Sequence, residues 1–199
     1  MNKKKGNLYI VTGPSGAGKG TVLGRVLAEM DNVFLSVSAT TRQPREGEKH
    51  GVNYYFVTHD EFRQMIEQDR LLEHAEYVGN FYGTPAAPVD EMLNAGKDVV
   101  LEIEVQGALI VKGKRPDATL IFIVPPSFDV LASRLRSRGT ESEEVVQRRL
   151  MKARSECAQM DAYDYIVIND QLDDAVRDLS SIIRAGRCRR GSVALNLFD

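Results

Sequence analysis

Apolar residues fall in short blocks along this 199-residue chain. Five blocks rich in β-branched side chains, at positions 8–12, 33–37, 99–103, 120–124 and 165–168, are nearly continuous. Strands buried on both faces have this pattern, so the blocks predict the strands of a mainly parallel sheet. Between them, apolar positions recur at helical spacing and predict helices over about 19–29, 89–95, 107–112, 127–138, 142–160 and 172–187. Ser127 and Thr140 suit helix N-caps, and Glu143 follows Thr140 at the spacing of a capping box. Such alternation makes an α/β fold: a three-layer core around a five-stranded sheet.

Two stretches interrupt the alternation. Positions 39–84 read as a mixed α+β insertion: a polar loop, a strand at 54–57, a helix opened by Thr58-His59-Asp60-Glu61, then a strand-like run at 71–78 turning at Gly79-Asn80. The second, at 127–159, is helical and rich in arginine from Arg134 to Arg154. The core is then assembled from about 1–38, 85–126 and 160–199, all within one domain. In an open α/β sheet, insertions at the carboxyl ends of strands surround the ligand.

The first strand runs straight into Gly13-Pro14-Ser15-Gly16-Ala17-Gly18-Lys19-Gly20-Thr21. Glycines at 13, 16 and 18 let backbone N–H groups converge into one anion site, to which a helix starting near Lys19 adds its positive end. Strand, glycine-rich loop and helix together form a P-loop, in which Lys19 reaches the β- and γ-phosphates of a nucleotide. Gly20 stands where a hydroxyl usually meets Mg²⁺, and the hydroxyl arrives one residue later, at Thr21. Glu102, closing the strand at 99–103, suits a water of the Mg²⁺ shell, and Glu104 shares its side if strand pairing continues.

Composition narrows the partners. With 26 basic and 28 acidic residues the formal charge is −2, and the isoelectric point is near 6.0, so nothing suggests binding to a nucleic acid polymer. Cys157 and Cys188 show no metal or disulfide spacing, and the basic start at Lys3-Lys4-Lys5 leads into a strand too short for an export signal. The expectation is a cytoplasmic protein without membrane spans. His50, His59 and His74 form no metal or catalytic pattern.

Arg42 and Arg45, three apart on a loop stiffened by Pro44, suit a phosphate monoester if both forks converge on it; Glu46 and Glu48 suit a solvated loop instead. Ser38, Tyr54, Tyr82 and Thr84 add hydroxyls, and Glu73 adds a carboxylate. Together these match a nucleoside monophosphate. A carboxylate accepts guanine N1–H and the N2 amino group side by side, whereas adenine offers an acceptor at N1. Arg134 and Arg138 share a helix face, and a turn at Gly139 brings Arg149 towards them, a grouping that calls for an anion. Ion pairs to Glu141, Glu143 and Glu144 are the plainer reading of that region.

Four segments, Ser36-Val37-Ser38-Ala39-Thr40-Thr41-Arg42-Gln43-Pro44-Arg45, Gly79-Asn80-Phe81-Tyr82-Gly83-Thr84, Leu101-Glu102-Ile103-Glu104-Val105-Gln106-Gly107 and Arg138-Gly139-Thr140-Glu141, resemble guanylate kinase signatures in order and spacing. The resemblance runs from Leu8 to about Ile183 and implies transfer of the γ-phosphoryl group of ATP to GMP, and to dGMP. It assigns Arg42, Arg45, Tyr54 and Tyr82 to the GMP phosphate, and Ser38, Glu73, Thr84 and Glu104 to guanine. The arginine-rich helices become a lid aiming Arg134, Arg138 and Arg149 at the transferring group, and Asn169-Asp170 becomes an adenine-contacting turn, with an N-cap as the other reading of Asp170. The family pattern more often has Asp at position 104. Lys19, Arg42 and the three lid arginines form the catalytic set, residues 13–21 and Asn169 the ATP site, and Mg²⁺ the cofactor, with Thr21 and Glu102 nearest it. Another nucleoside monophosphate kinase and a non-catalytic interaction module remain open as readings, as does a homo-oligomer.

Overall fold

The computed structural model describes residues 5–137, 142–189 and 192. Its core is a five-stranded parallel sheet in the order β2-β7-β1-β8-β9, formed by Val33–Leu35 (β2), Asp98–Glu102 (β7), Leu8–Thr12 (β1), Thr119–Val124 (β8) and Tyr165–Ile168 (β9). β1 shows why the sheet needs cover on both faces. Tyr9 and Val11 pack with Val22, Leu23 and Val26 of α1 (Lys19–Glu29) and with Leu179 and Ile183 of α7 (Leu172–Gly186). Leu8 and Ile10 point the other way, onto Val89 and Leu93 of α3 (Ala86–Asn94) and Ala108 and Val111 of α4 (Val105–Lys114). The period of two along a wholly buried strand therefore divides the core into two clusters, one per face, and makes the three layers.

Between β2 and α3 the chain builds a second, four-stranded sheet in the order β4-β3-β6-β5: Tyr55–Phe56, Ala39–Thr40, Asn80–Pro85 and Leu71–Tyr77. Helix α2 (His59–Glu67) covers it through Phe62, stacked on Phe81 at 5.5 Å, and opens on a capping box between Thr58 and Glu61. Between β8 and β9 lie α5 (Phe128–Ser137) and α6 (Glu143–Cys157), joined by Leu131, Leu135, Val146 and Ala153.

The structure corrects the sequence reading at several points. β3 lies where a polar loop is expected, because a two-residue strand carries no periodicity to read. β2 ends at Leu35 and β7 at Glu102, each short of its apolar run. The hairpin joining β5 to β6 pairs Tyr77 with Asn80, so its turn residues are Val78 and Gly79, not Gly79-Asn80. Ser127 caps α5 through a 3.2 Å bond from the Val130 N–H. The N-cap of α6 is Ser142; Thr140, Arg138, Gly139 and Glu141 lie outside the described residues. Among the described residues no helix is long and apolar enough to cross a membrane.

The C-terminal segment, which the sequence leaves unexplained, is tied to the amino ends of the strands. Arg187 Nε donates to Asp98 Oδ2 at 2.6 Å, Arg189 to Thr119 at 3.3 Å, and Ser192 to Asn7 at 2.7 Å. Site and tail thus occupy opposite ends of the sheet.

Candidate active site

The loop after β1 folds as its glycines require, with φ of 143°, 93° and 88° at Gly13, Gly16 and Gly18. Gly18 is needed twice over: it is the left-handed N-cap of α1, and a β-carbon there would stand 2.4 Å from Asn169 Nδ2. Ala17 is fully buried, and its carbonyl accepts a 2.7 Å bond from Asn169 Nδ2. The Lys19 ammonium curls back onto the carbonyls of Gly13 (2.6 Å) and Pro14 (3.3 Å). Gly20 and Thr21 are exposed in the first turn of α1, where nothing lies within 4 Å of a β-carbon built on Gly20.

The helical pair after β8 reaches this loop. Arg134 of α5 donates to the Asn169 carbonyl at 2.9 Å, and Arg149 of α6 to Ser15 Oγ at 3.1 Å. Asn169 is buried and links three pieces: its amide holds the loop, its carbonyl holds Arg134, and its N–H bonds Val124 of β8. The N-cap of α7 is Gln171, so Asp170 is not the cap. The plainer ion-pair reading holds for Arg136, which grips Glu143 with two bonds of 2.7 and 3.0 Å. That pair and Gln147 hold the Glu143 carboxyl down at about 2.

A cavity of about 320 Å³ opens between the two sheets, walled by Ser38, Tyr54, Glu73, Tyr82, Glu102 and Glu104. Thr84, buried behind it, donates to Glu73 Oε1 at 2.7 Å. Glu73 is only 6% exposed, although it is a carboxylate on a strand. Burial, reinforced by the charge of Glu104, pushes its carboxyl above the usual range although the Thr84 hydroxyl opposes the shift. The expected strand position of Glu104 fails: pairing stops at Glu102, and Glu104 is the N-cap of α4.

Arg42 lies along this wall, 5.4 Å from the Tyr54 ring centre, with Nη2 on Glu48 Oε1 at 2.9 Å and Nη1 on the Gln43 carbonyl at 2.7 Å. The other oxygen of Glu48 accepts the Arg45 backbone N–H at 2.7 Å, while the Arg45 side chain is exposed. Glu48 therefore organises this loop, a task the sequence reading did not give it. Arg42 is thereby fixed beside the tyrosines, while Arg45 is held on the same loop through its backbone.

Lys152 is the residue the sequence reading missed. It is the one described residue of α5 and α6 that lines this cavity, and its only prior signal is its place three residues after Arg149 on a helix.

A P-loop, a cavity with a buried carboxylate and an arginine-bearing helical pair thus converge at the carboxyl ends of the sheet. The family model for guanylate kinase matches residues 5–186. The chain belongs to the guanylate kinase family. It is 53% identical over 189 residues to guanylate kinase of Desulfitobacterium hafniense, covering 95% of this chain and 94% of that protein. The guanylate kinase of Neisseria gonorrhoeae is 51% identical, with 94% of this chain and 91% of that protein covered. Among solved structures, guanylate kinase from Anaplasma phagocytophilum superposes with a TM-score of 0.76 at 32% identity, covering 96% of this chain and 92% of the other. These similarities run the length of both partners, so the guanylate kinase frame includes the core and both insertions.

Proposed function

We propose that this chain transfers the γ-phosphoryl group of ATP to GMP, and to dGMP, giving ADP and the nucleoside diphosphate. The observation that carries the reading is Glu73: a buried carboxylate in the wall of the cavity, fixed by Thr84. Guanine satisfies it with two adjacent donors, and adenine leaves it unpaired. Sites built on such pairing reject the mismatched analogue by about 10⁴- to 10⁵-fold. Ser38 and Glu104 complete the guanine contacts, and Arg42, Arg45, Tyr54 and Tyr82 hold the monophosphate.

Residues 13–21 cradle the ATP phosphates, with Lys19 on the β- and γ-oxygens. Asn169 serves the donor site by fixing the loop and Arg134, one amide N–H being held by Ala17 while the rest of the amide is left for the adenine. Arg134, Arg138 and Arg149 meet the charge on the transferring group. Catalysis then rests on alignment and charge stabilisation, and a GMP phosphate oxygen attacks without a general base.

No cluster of His, Cys, Asp or Glu able to hold a metal stands among the described residues. The oxygen donors present, exposed Thr21 and Glu102, fit an ion that arrives with ATP and keeps most of its water. Mg²⁺ bound there neutralises charge on the β- and γ-phosphates. Thr21 and Glu102 would hold it through water. The chain works in the cytoplasm on small nucleotides.

A coupled ADP-release assay with ATP and GMP, dGMP, AMP, UMP or CMP tests this reading. Turnover is expected with GMP and dGMP. Turnover with AMP instead makes the chain another nucleoside monophosphate kinase, and none with any acceptor makes it a binding module.

A further inference from the structure

Helix α6 faces two sites at once. Arg149, Lys152 and Glu156 are spaced by three and four residues and share one face of it. Arg149 reaches Ser15 in the donor loop at 3.1 Å. Lys152 reaches the other way, to Glu104 Oε2 at 3.2 Å, and lies 3.7 Å from Glu156 Oε1. Its ammonium therefore bridges an acid on its own helix and an acid at the start of α4.

The cavity this ammonium lines holds three carboxylates, Glu73, Glu102 and Glu104. An entering nucleotide monophosphate adds about two more negative charges at neutral pH, and like charges in a partly desolvated cavity repel strongly. Guanine recognition by Glu73 needs that carboxylate ionised, which a second bare carboxylate nearby opposes. A cation fixed on Glu104 relieves both conflicts.

We propose that Lys152 is a positioning residue for the acceptor: paired to Glu104, it orients that carboxylate towards the purine and offsets the cavity's negative charge. The proposal rests on the GMP reading given above. It acts on acceptor binding, because the donor loop is met by Arg149 one turn away.

Lys152→Met, Lys152→Arg, Glu104→Gln and the double variant Lys152→Met/Glu104→Gln separate the possibilities in steady-state ADP-release kinetics. Lys152→Met is expected to raise the KM for GMP about tenfold while the KM for ATP and kcat change less than about threefold. Lys152→Arg restores the KM for GMP to within about threefold, and in the double variant the loss of Lys152 adds little to the loss of Glu104. An unchanged KM for GMP, equal changes in both KM values, or fully additive effects would overturn the proposal. If Lys152→Met does not fold, Lys152→Gln takes its place, with the same outcomes read. The unmodified chain, assayed alongside, separates the two levels: no GMP turnover there removes the functional reading itself, whereas normal turnover with unaltered variants removes only the role of Lys152.

Discussion

Glu73 lies directly over Gly107: a β-carbon built on Gly107, in the first turn of α4, would stand 2.8 Å from Glu73 Oε2 and 3.2 Å from its carboxyl carbon. The glycine is there to admit the carboxylate, not to bend the chain. Alanine at 107 favours the helix by about 0.8–1 kcal/mol in isolation, yet it must push Glu73 aside. A misplacement of about 1 Å at a recognition group can cost about 10²-fold. Gly107→Ala is therefore expected to lower kcat/KM for GMP by about that factor, with the KM for ATP unchanged and the fold intact by circular dichroism. Equal efficiency with GMP would show that Glu73 shifts without consequence.

Glu73→Gln separates recognition from stability. An amide presents one acceptor where guanine needs two, so two charge-assisted bonds of about 1.5–3 kcal/mol each are weakened or lost. We expect kcat/KM for GMP to fall about 10²- to 10⁴-fold and the preference for GMP over AMP to narrow.

Stability moves the other way. Burial raises the Glu73 carboxyl above its ordinary 4.5, so as pH climbs from there the native state keeps a proton that the unfolded chain has released. Native stability must fall with rising pH across that window, and glutamine abolishes this loss. The melting temperature of Glu73→Gln should match that of the unmodified protein near pH 4 and exceed it at higher pH, the difference growing until the native carboxyl has ionised and then staying constant. Parallel melting curves across that range would show that Glu73 is ionised at no cost.

These carboxylate relationships mark where sequence reasoning stops. The core strands are legible because each is a short, nearly continuous apolar run followed by a loop or a helical pattern. The P-loop is legible because its glycines are demanded by backbone geometry alone. Gly107 is different: its reason is a side chain 34 positions away in the chain, which no local pattern encodes. Glu48 is similar, an acid that reads as solvated charge until the loop folds and brings it onto Arg42. Lys152 is invisible for the same cause, since one lysine on a polar helix face carries no signal until that face is known to line a cavity.

At the far end of the sheet, Asp98 is 2% exposed and meets Arg187 at 2.6 Å, with two further bonds of 2.9 Å from Asn7. Breaking a buried pair from one side typically costs about 3–5 kcal/mol; with Arg187 one-third exposed and Asn7 still bonding, about 2–3 kcal/mol is the expectation for Arg187→Ala. Urea denaturation should show that drop in the midpoint at constant m-value, while the KM for GMP stays within about twofold because the site lies at the other end of β7. A midpoint unchanged within error would mean that the tail is not a fastener.

The turn between β5 and β6 holds a reserve of stability. Val78 has φ of 49° and Gly79 φ of 71°, the two positive values that a two-residue hairpin turn of the mirror-image type demands. A β-branched residue pays about 1–2 kcal/mol for the left-handed region, and Val78, 79% exposed, gains no packing in return. Asparagine tolerates this conformation and, ahead of glycine, makes the preferred turn pair. Val78→Asn is expected to raise stability by about 1 kcal/mol, seen as a higher urea midpoint at constant m-value. Tyr77, the neighbouring residue, lines the cavity that holds Glu73, so the same variant also asks whether the strained turn serves that wall. A gain in stability with an unaltered KM for GMP would make the valine a local cost without function; a gain accompanied by a higher KM would tie the strain to the way the hairpin closes the cavity.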